Sequence, residues 1–177
     1  MWCLSNVASG TTLQCSSIID KGGIRIFVDL LLSEHPGIIE QAIWTLGNIA
    51  CDLPAYRDSI INAGGVSNMI KVIEVSLSQL ERTPAMLELI ETTSWALSTL
   101  CRNHPLPQYF KIKDAINAFY HLLSRRIIKD KKIVSNLCWA ISYFSHNKAS
   151  EKGEKTKTDK IQECINSGIV PIILSYL

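Results

Sequence analysis

Apolar residues recur along this chain at helical spacing, in segments that glycine and proline separate. In residues 66–80 the apolar positions recur every three or four residues, which places them on one face of a helix. A shorter segment, 54–63, begins with proline and is followed by Gly64 and Gly65, the usual signals for the start and end of a short helix. A longer periodic segment covers 87–101. Alternation with a period of two is almost absent, so the pattern predicts an all-α fold.

The order of short helix, glycine, medium helix, loop and long helix repeats along the chain. Outside the copy just described, the predicted helices are 15–20, 24–32, 37–51, 114–124, 131–144 and one that begins at Asp159. The predicted units are a partial repeat at 1–10, repeats at 11–52, 53–103 and 104–147, and a partial repeat at 159–177. Because neither terminal unit holds a whole repeat, we expect the chain to be a fragment or a truncated gene product.

A tryptophan lies in the long helix of every copy, at Trp2, Trp44, Trp95 and Trp139. The intervals between them are 42, 51 and 44 residues. A period of about 40–47 residues is typical of solenoids built from two- or three-helix repeats, so we expect a single solenoid over 1–177. The long interval indicates an insertion near 76–88, and the polar, charged composition of residues 148–158 predicts a mobile loop.

Each tryptophan is followed four residues later by a side chain that carries a polar group. We call the resulting set of eight residues the aromatic ladder: Trp2, Asn6, Trp44, Asn48, Trp95, Thr99, Trp139 and Tyr143. Residues four apart lie on one helix face, one turn from each other. Indoles on successive helices would form slots for the apolar stem of a lysine and attract its cation, worth about 0.5–2 kcal/mol each. An asparagine amide can bond both polar groups of a peptide backbone. The ladder therefore predicts binding of an extended peptide rich in Lys and Arg.

The alternative reading is that each tryptophan is a core residue, as a lone one at helical spacing usually is. The recurrence of all four at one repeat position, each with its partner in phase, favours the binding surface.

Composition narrows the function further. The 177 residues are 47% apolar, enough for a sizeable core, and the formal charge of +2 is too small to predict nucleic-acid binding. No secretory signal or membrane-spanning stretch is visible, and the six scattered cysteines indicate buried thiols in a reducing compartment. We find no nucleophile–base pairing, phosphate-binding glycine loop or metal-ligand spacing, so we expect neither an enzyme nor a cofactor.

Four segments, 40–52, 95–102, 138–145 and 159–170, resemble the armadillo repeats of the importin-α (karyopherin-α) family, whose members bind nuclear localisation signals. The resemblance covers nearly the whole chain and implies a right-handed superhelical solenoid with three helices per repeat. It places the chain from the third helix of the second repeat to the start of the sixth, the region of the principal signal-binding groove. It implies basic cargo peptides as partners, no nucleic acid or membrane, and a location in cytoplasm and nucleus. The family's segment that binds importin-β has no counterpart in this sequence.

The resemblance also assigns roles to residues outside the aromatic ladder. Asp52 matches the acidic partner of the most discriminating lysine, Ser9 and Gly10 match a main-chain contact, and Gln41 matches a polar contact. The residues alone leave another role open for Asp52, as the N-cap of the helix that starts near Pro54.

Three positions depart from the family pattern. Thr99 and Thr92 stand where asparagine is usual, and Asn136 stands where an acidic residue is usual, so we expect weaker or altered specificity. Two other functions stay open: a catenin-like armadillo scaffold whose groove is lined with Lys and His for acidic partners, or a fragment without a binding function.

Overall fold

A computed structural model describes residues 2–79, 83–102, 104–124, 130–145 and 157–176. Within these ranges all regular structure is helical, which confirms the predicted fold class. The helices are α1 (Trp2–Ala8), α2 (Thr12–Ile19), α3 (Gly23–Leu30), α4 (Pro36–Asp52), α5 (Pro54–Asn62), α6 (Gly65–Ser78), α7 (Pro84–Leu100), α8 (Tyr109–Ser124), α9 (Lys131–Ser145), α10 (Lys157–Asn166) and α11 (Ile169–Leu174). None of the helices in these ranges is both long enough and apolar enough to cross a bilayer.

The helices that carry the tryptophans lie side by side in chain order. Helix α1 packs on α4, α4 on α7 and α7 on α9, while α6, α8 and α11 pack in a second row behind them. The short helices α2 and α5 contact the medium and long helices of their own repeats. Each unit thus contacts mainly its neighbours, which is the arrangement of a solenoid.

Glycine pairs make the turn between the short and the medium helix. Gly64 has a φ of 91° and precedes α6, and Gly22 has the equivalent conformation with a φ of 78° before α3. L-residues with a side chain rarely adopt this left-handed conformation. At Gly65 a Cβ atom would lie 2.6 Å from Cγ2 of Ile60, so the second glycine allows α6 to approach α5. The predicted glycine boundaries are confirmed.

The third repeat departs from the three-helix order. A single helix, α8, runs from Tyr109 to Ser124 where the prediction began the medium helix at Asp114. No glycine interrupts this stretch, and its apolar residues keep one helical spacing throughout. The side chains that α8 buries are Tyr109, Ile112, Ala115, Ile116, Ala118, Phe119, Leu122 and Leu123.

The two predicted insertions have different outcomes. Part of the first lengthens a helix, since α6 has 14 residues and its counterpart α3 has 8. Of the predicted loop 148–158, residues 148–156 lie outside the described ranges, and α10 already begins at Lys157.

The cysteines are only partly as predicted. All six are free thiols. Three are buried and one is partly buried, whereas Cys3 and Cys138 are exposed, so the prediction of buried thiols is wrong for these two. Both lie beside a ladder tryptophan on the outward face of a long helix, which is why burial does not reach them.

A buried arginine connects the second repeat to the third. The Arg57 side chain on α5 is fully buried. Its guanidinium donates hydrogen bonds to the Arg102 carbonyl at 2.7 Å, to the Pro105 carbonyl at 2.8 Å and to the Asp58 carboxylate at 2.8 and 2.9 Å. These carbonyls belong to the connection between α7 and α8, so one side chain fixes where the third repeat starts.

We expect Arg57→Met to lower the free energy of unfolding by about 2–4 kcal/mol, because methionine fills much of the volume but leaves the two carbonyls without their donor. Urea denaturation followed by circular dichroism measures the change. Arg25→Met is the matched control, since the exposed Arg25–Asp29 ion pair on α3 should contribute only about 0.3–0.5 kcal/mol. Equal losses in the two variants would contradict the role assigned to Arg57.

Candidate functional site

The ladder tryptophans form part of the surface. Trp2 is 73% exposed, Trp44 is 42% exposed and Trp139 is 58% exposed, while Trp95 is partly buried. Because α1, α4, α7 and α9 lie side by side, the four indoles face outward from one layer of helices. The alternative that the tryptophans are core residues does not describe Trp2, Trp44 or Trp139.

Two of the indoles contact each other. The ring centroids of Trp44 and Trp95 are 4.8 Å apart, with 42° between the ring planes. A methylene chain between two rings needs about 3.5–4.0 Å on each side, so no lysine stem fits between this pair. The expectation of a slot between successive indoles is therefore wrong here. Trp44 and Trp95 form one aromatic platform instead.

A glycine makes this contact possible. A Cβ atom on Gly47 would lie 2.3 Å from Cζ3 of Trp95. The indole of α7 therefore rests against the backbone of α4, where any side chain would displace it. On α9 the aromatic contact lies within one helix, because Trp139 stacks on Tyr143 at 6.1 Å and 23°.

The polar members of the aromatic ladder differ in what they offer a ligand. Asn6 is exposed and Asn48 is partly buried, and neither side-chain amide makes a hydrogen bond to the described residues. Thr99 is 1% exposed, and its hydroxyl donates to the Ala96 carbonyl at 2.7 Å. The structure therefore does not place a hydrogen-bonding group of Thr99 on the surface.

Asp52 ends α4 two turns after Trp44. Its Oδ1 accepts a hydrogen bond from the Thr12 hydroxyl at 2.8 Å, and its Oδ2 is buried without an N–H or O–H donor among the described residues. A carboxylate oxygen has about two acceptor sites, so Oδ1, which makes an exposed hydrogen bond, can accept a second donor, whereas Oδ2 is shielded from solvent. The N-cap of α5 is Leu53, which makes no side-chain cap, so the alternative role of Asp52 as the N-cap is wrong.

A thiol lies beside this carboxylate. Burial, the negative charge of Asp52 and a hydrogen bond to Asp52 together raise the pKa of Cys15 to about 11, with burial as the largest cause. A neutral thiol is a weak hydrogen-bond donor and contributes no positive charge. Among the described residues, none forms an ion pair with Asp52.

The other predicted contact residues lie at the junction of the first two long helices. Ser9 and Gly10 are exposed in the connection from α1 to α2. They lie next to Thr12, the first residue of α2, whose hydroxyl bonds Asp52. Gln41 is partly buried, and its side-chain oxygen accepts a hydrogen bond from Ser5 at 3.2 Å. Ser9 and Gly10 thus precede the Thr12–Asp52 hydrogen bond by two or three residues, Asn48 lies one turn before Asp52 on α4, and Gln41 helps to join α1 to α4.

The two other departures from the family pattern lie on α7 and α9. Thr92 is 7% exposed and donates its hydroxyl to the Glu88 carbonyl at 2.9 Å. Asn136 is partly buried on α9, one turn before Trp139. The threonine hydroxyls of α7 therefore donate to the backbone of their own helix, and α7 contributes mainly the Trp95 indole to the candidate binding surface.

Charged residues before the tryptophans were not predicted. Lys132 of α9 pairs with Glu91 of α7 at 2.8 Å. Burial raises the pKa of Glu40 on α4, and the neighbouring charge of Glu88 on α7 raises it further. Each of these residues lies one or two turns before a ladder tryptophan, and that spacing is the sequence signal that would have found them.

Comparison with known proteins defines the class of the chain. The model of the armadillo/beta-catenin-like repeat matches residues 12–51, which hold α2, α3 and most of α4. A designed armadillo repeat protein in complex with the peptide (KR)4 superposes with a TM-score of 0.75 at 22% identity, over 97% of this chain and 63% of that one. A computationally designed armadillo repeat protein for modular peptide recognition gives a TM-score of 0.70 at 21% identity, over 93% and 61%. The fold is an armadillo-repeat solenoid.

Curated relatives narrow the class further. Importin subunit alpha-1b of Oryza sativa subsp. japonica and importin subunit alpha-2 of Arabidopsis thaliana are each 34% identical to the chain over 176 residues. The probable importin subunit alpha-A of Dictyostelium discoideum is 30% identical over 182 residues. The chain thus holds a segment that matches the armadillo repeat, and the relatives that it resembles over 99% of its own length are importin-α subunits. It spans 29–31% of their length.

We expect Gly47→Ala to lower the free energy of unfolding by about 1–3 kcal/mol, because the new methyl group collides with the Trp95 indole. The same variant should weaken the exciton signal of the Trp44–Trp95 pair in circular dichroism. Gly37→Ala on the same helix is the control, since a Cβ there meets nothing within 4 Å and alanine is the better helix former. An unchanged exciton signal in Gly47→Ala would contradict the indole contact.

Proposed function

We propose that this chain is a peptide-binding adaptor that holds basic nuclear localisation signals on the aromatic ladder. The observation that carries the proposal is the outward face of α4. It combines the exposed indole of Trp44, the amide of Asn48, which bonds none of the described residues, and the carboxylate of Asp52, which forms no ion pair with them. These groups follow one another at steps of about one turn, on one side of the helix.

Each group matches a different part of a lysine-rich peptide. The indole face attracts a cation and packs against its apolar stem. The amide of Asn48 can donate to a backbone carbonyl and accept from a backbone N–H of an extended chain. The carboxylate of Asp52 would bond an ammonium group, and such charge-assisted hydrogen bonds are stronger than neutral ones. Together they favour an extended, positively charged peptide.

The row of long helices is about as long as an extended peptide of moderate length. Neighbouring packed helices are about 8–10 Å apart, so the row from α1 to α9 spans close to 30 Å. An extended peptide rises about 3.3 Å per residue, so roughly nine residues would cover the row. The designed protein of this fold that binds (KR)4 shows that a stack of this kind can hold a basic chain.

The proposal includes the rest of the family role. Cargo peptides rich in Lys and Arg are the proposed partners, and the proposed location is cytoplasm and nucleus, as the similarity to importin-α subunits suggests. The proposed activity is binding and not catalysis.

We expect a synthetic peptide of roughly nine residues with a central run of lysines to bind this chain, with an affinity that falls as salt rises because the attraction is electrostatic. Asp52→Asn should weaken binding about 10–100-fold, since it removes the charge but keeps a similar shape. Calorimetric titration measures both. Asp114→Asn, at an exposed position on α8 in the second row, should bind like the wild type.

Asn48→Ala tests the backbone contact separately. We expect about tenfold weaker binding, because two hydrogen bonds to the peptide backbone are lost. The fold should be unaffected, since the Asn48 amide has no partner among the described residues. Asn117→Ala on α8 is the matched control. Equal binding of the lysine peptide and its all-alanine version would exclude the adaptor function.

A further inference from the structure

The long helices share one register in the turns before their tryptophans. The residue two turns before the tryptophan of one helix faces the residue one turn before the tryptophan of the preceding helix. Between α7 and α9 these residues are Lys132 and Glu91, whose side chains form an ion pair at 2.8 Å. Between α4 and α7 they are Glu88 and Glu40, two carboxylates close enough for the charge of one to disfavour ionisation of the other. The same geometry therefore gives attraction at one junction and repulsion at the next.

From this difference we propose that Lys132 sets the charge pattern of the ligand, because it excludes lysine and arginine from the α9 end of the aromatic ladder and favours an acidic or neutral residue there. The inference rests on the proposed function and specifies its ligand: an extended peptide that is basic over α1 and α4 and not basic over α9.

Lys132 lies on the face that a bound peptide would cross. Lys132, Asn136, Trp139 and Tyr143 follow one another on one side of α9. The Lys132 side chain is 73% exposed, and an ammonium group has three donors, of which Glu91 takes one. A ligand carboxylate could therefore bind Lys132 without breaking the existing ion pair.

The carboxylates near Lys132 already act on its ammonium group. Glu91 is 28% exposed and pairs with Lys132, and the charges of Asp130 and Glu88 also favour the Lys132 cation. Asn136 is neutral, and the hydroxyls of Thr92 and Thr99 donate to the backbone of α7. A ligand lysine at this end would have to displace Lys132 or lie beside it, and like charges in contact are unfavourable. On α4, by contrast, Asp52 forms no ion pair with any of the described residues.

A peptide scan tests the inference. A lysine peptide of roughly nine residues is compared with single Lys→Glu versions at every position. We expect most of the Lys→Glu peptides to bind the wild type more weakly than the lysine peptide does. At one end of the peptide, however, the version with glutamate should bind equally well or up to about tenfold more tightly. In Lys132→Glu the preference at that end position should reverse, so that the peptide with lysine there binds about threefold or more tightly than the peptide with glutamate.

Two further variants control the experiment. Lys132→Met keeps most of the side-chain volume without the charge, so it should abolish the preference without reversing it. Lys113→Glu makes the same charge change at an exposed position on α8, in the second row, and should leave the scan unchanged.

The outcomes separate the two proposals. If the lysine peptide binds but wild type and Lys132→Glu give the same scan, Lys132 does not set specificity and the adaptor function stands. If the wild type favours lysine at every position, the inference is likewise wrong. If no lysine peptide binds the folded wild type, the proposed function itself fails, and the inference fails with it.

Discussion

The rest of the structure depends on the side-by-side packing of the long helices. A single armadillo repeat buries its apolar faces only against the repeats beside it, so α4 needs α1 on one side and α7 on the other. That packing fixes the rotation of each long helix. Because the inward face is fixed, the outward face is fixed as well, and the tryptophans appear on it in a row. The candidate binding surface is thus a consequence of how the core is buried.

The contact between α4 and α7 shows how finely this packing is adjusted. Gly47 brings the Trp95 indole against the α4 backbone, and the indole then lies on Trp44. Close packing of this kind gains dispersion energy but fills the space between the two rings. The middle of the aromatic ladder is therefore a platform on which a side chain can lie, and its outer members are the more open ones.

Polar groups on the long helices fall into two kinds. Those of α7 bond to their own helix, as the hydroxyl of Thr99 does to Ala96, and leave little for a ligand. On α4, the amide of Asn48 bonds none of the described residues, and the carboxylate of Asp52 pairs with none of their cations. The length of the side chain explains part of the difference. A threonine hydroxyl reaches the backbone carbonyl one turn back, whereas an asparagine amide projects further from its helix. Because its side chain is short, Thr99 presents no hydrogen-bonding group for a peptide backbone on the surface.

The sequence by itself determined the all-α repeat, the glycine turns and the row of tryptophans, because these follow from local periodicity and from backbone conformations that glycine alone adopts easily. It did not show that α8 would be continuous, that Asp52 would bond Thr12 and not cap α5, or that Thr99 would turn inward. The bond from Thr12 to Asp52 depends on which helix lies next to α4, whereas the continuity of α8 and the bond of Thr99 to Ala96 arise within one helix. The Trp44–Trp95 contact and the Lys132–Glu91 pair were likewise decided only by the tertiary structure. Distances between side chains on different repeats are set by how closely two helices approach, and the period of the sequence contains no measure of that approach.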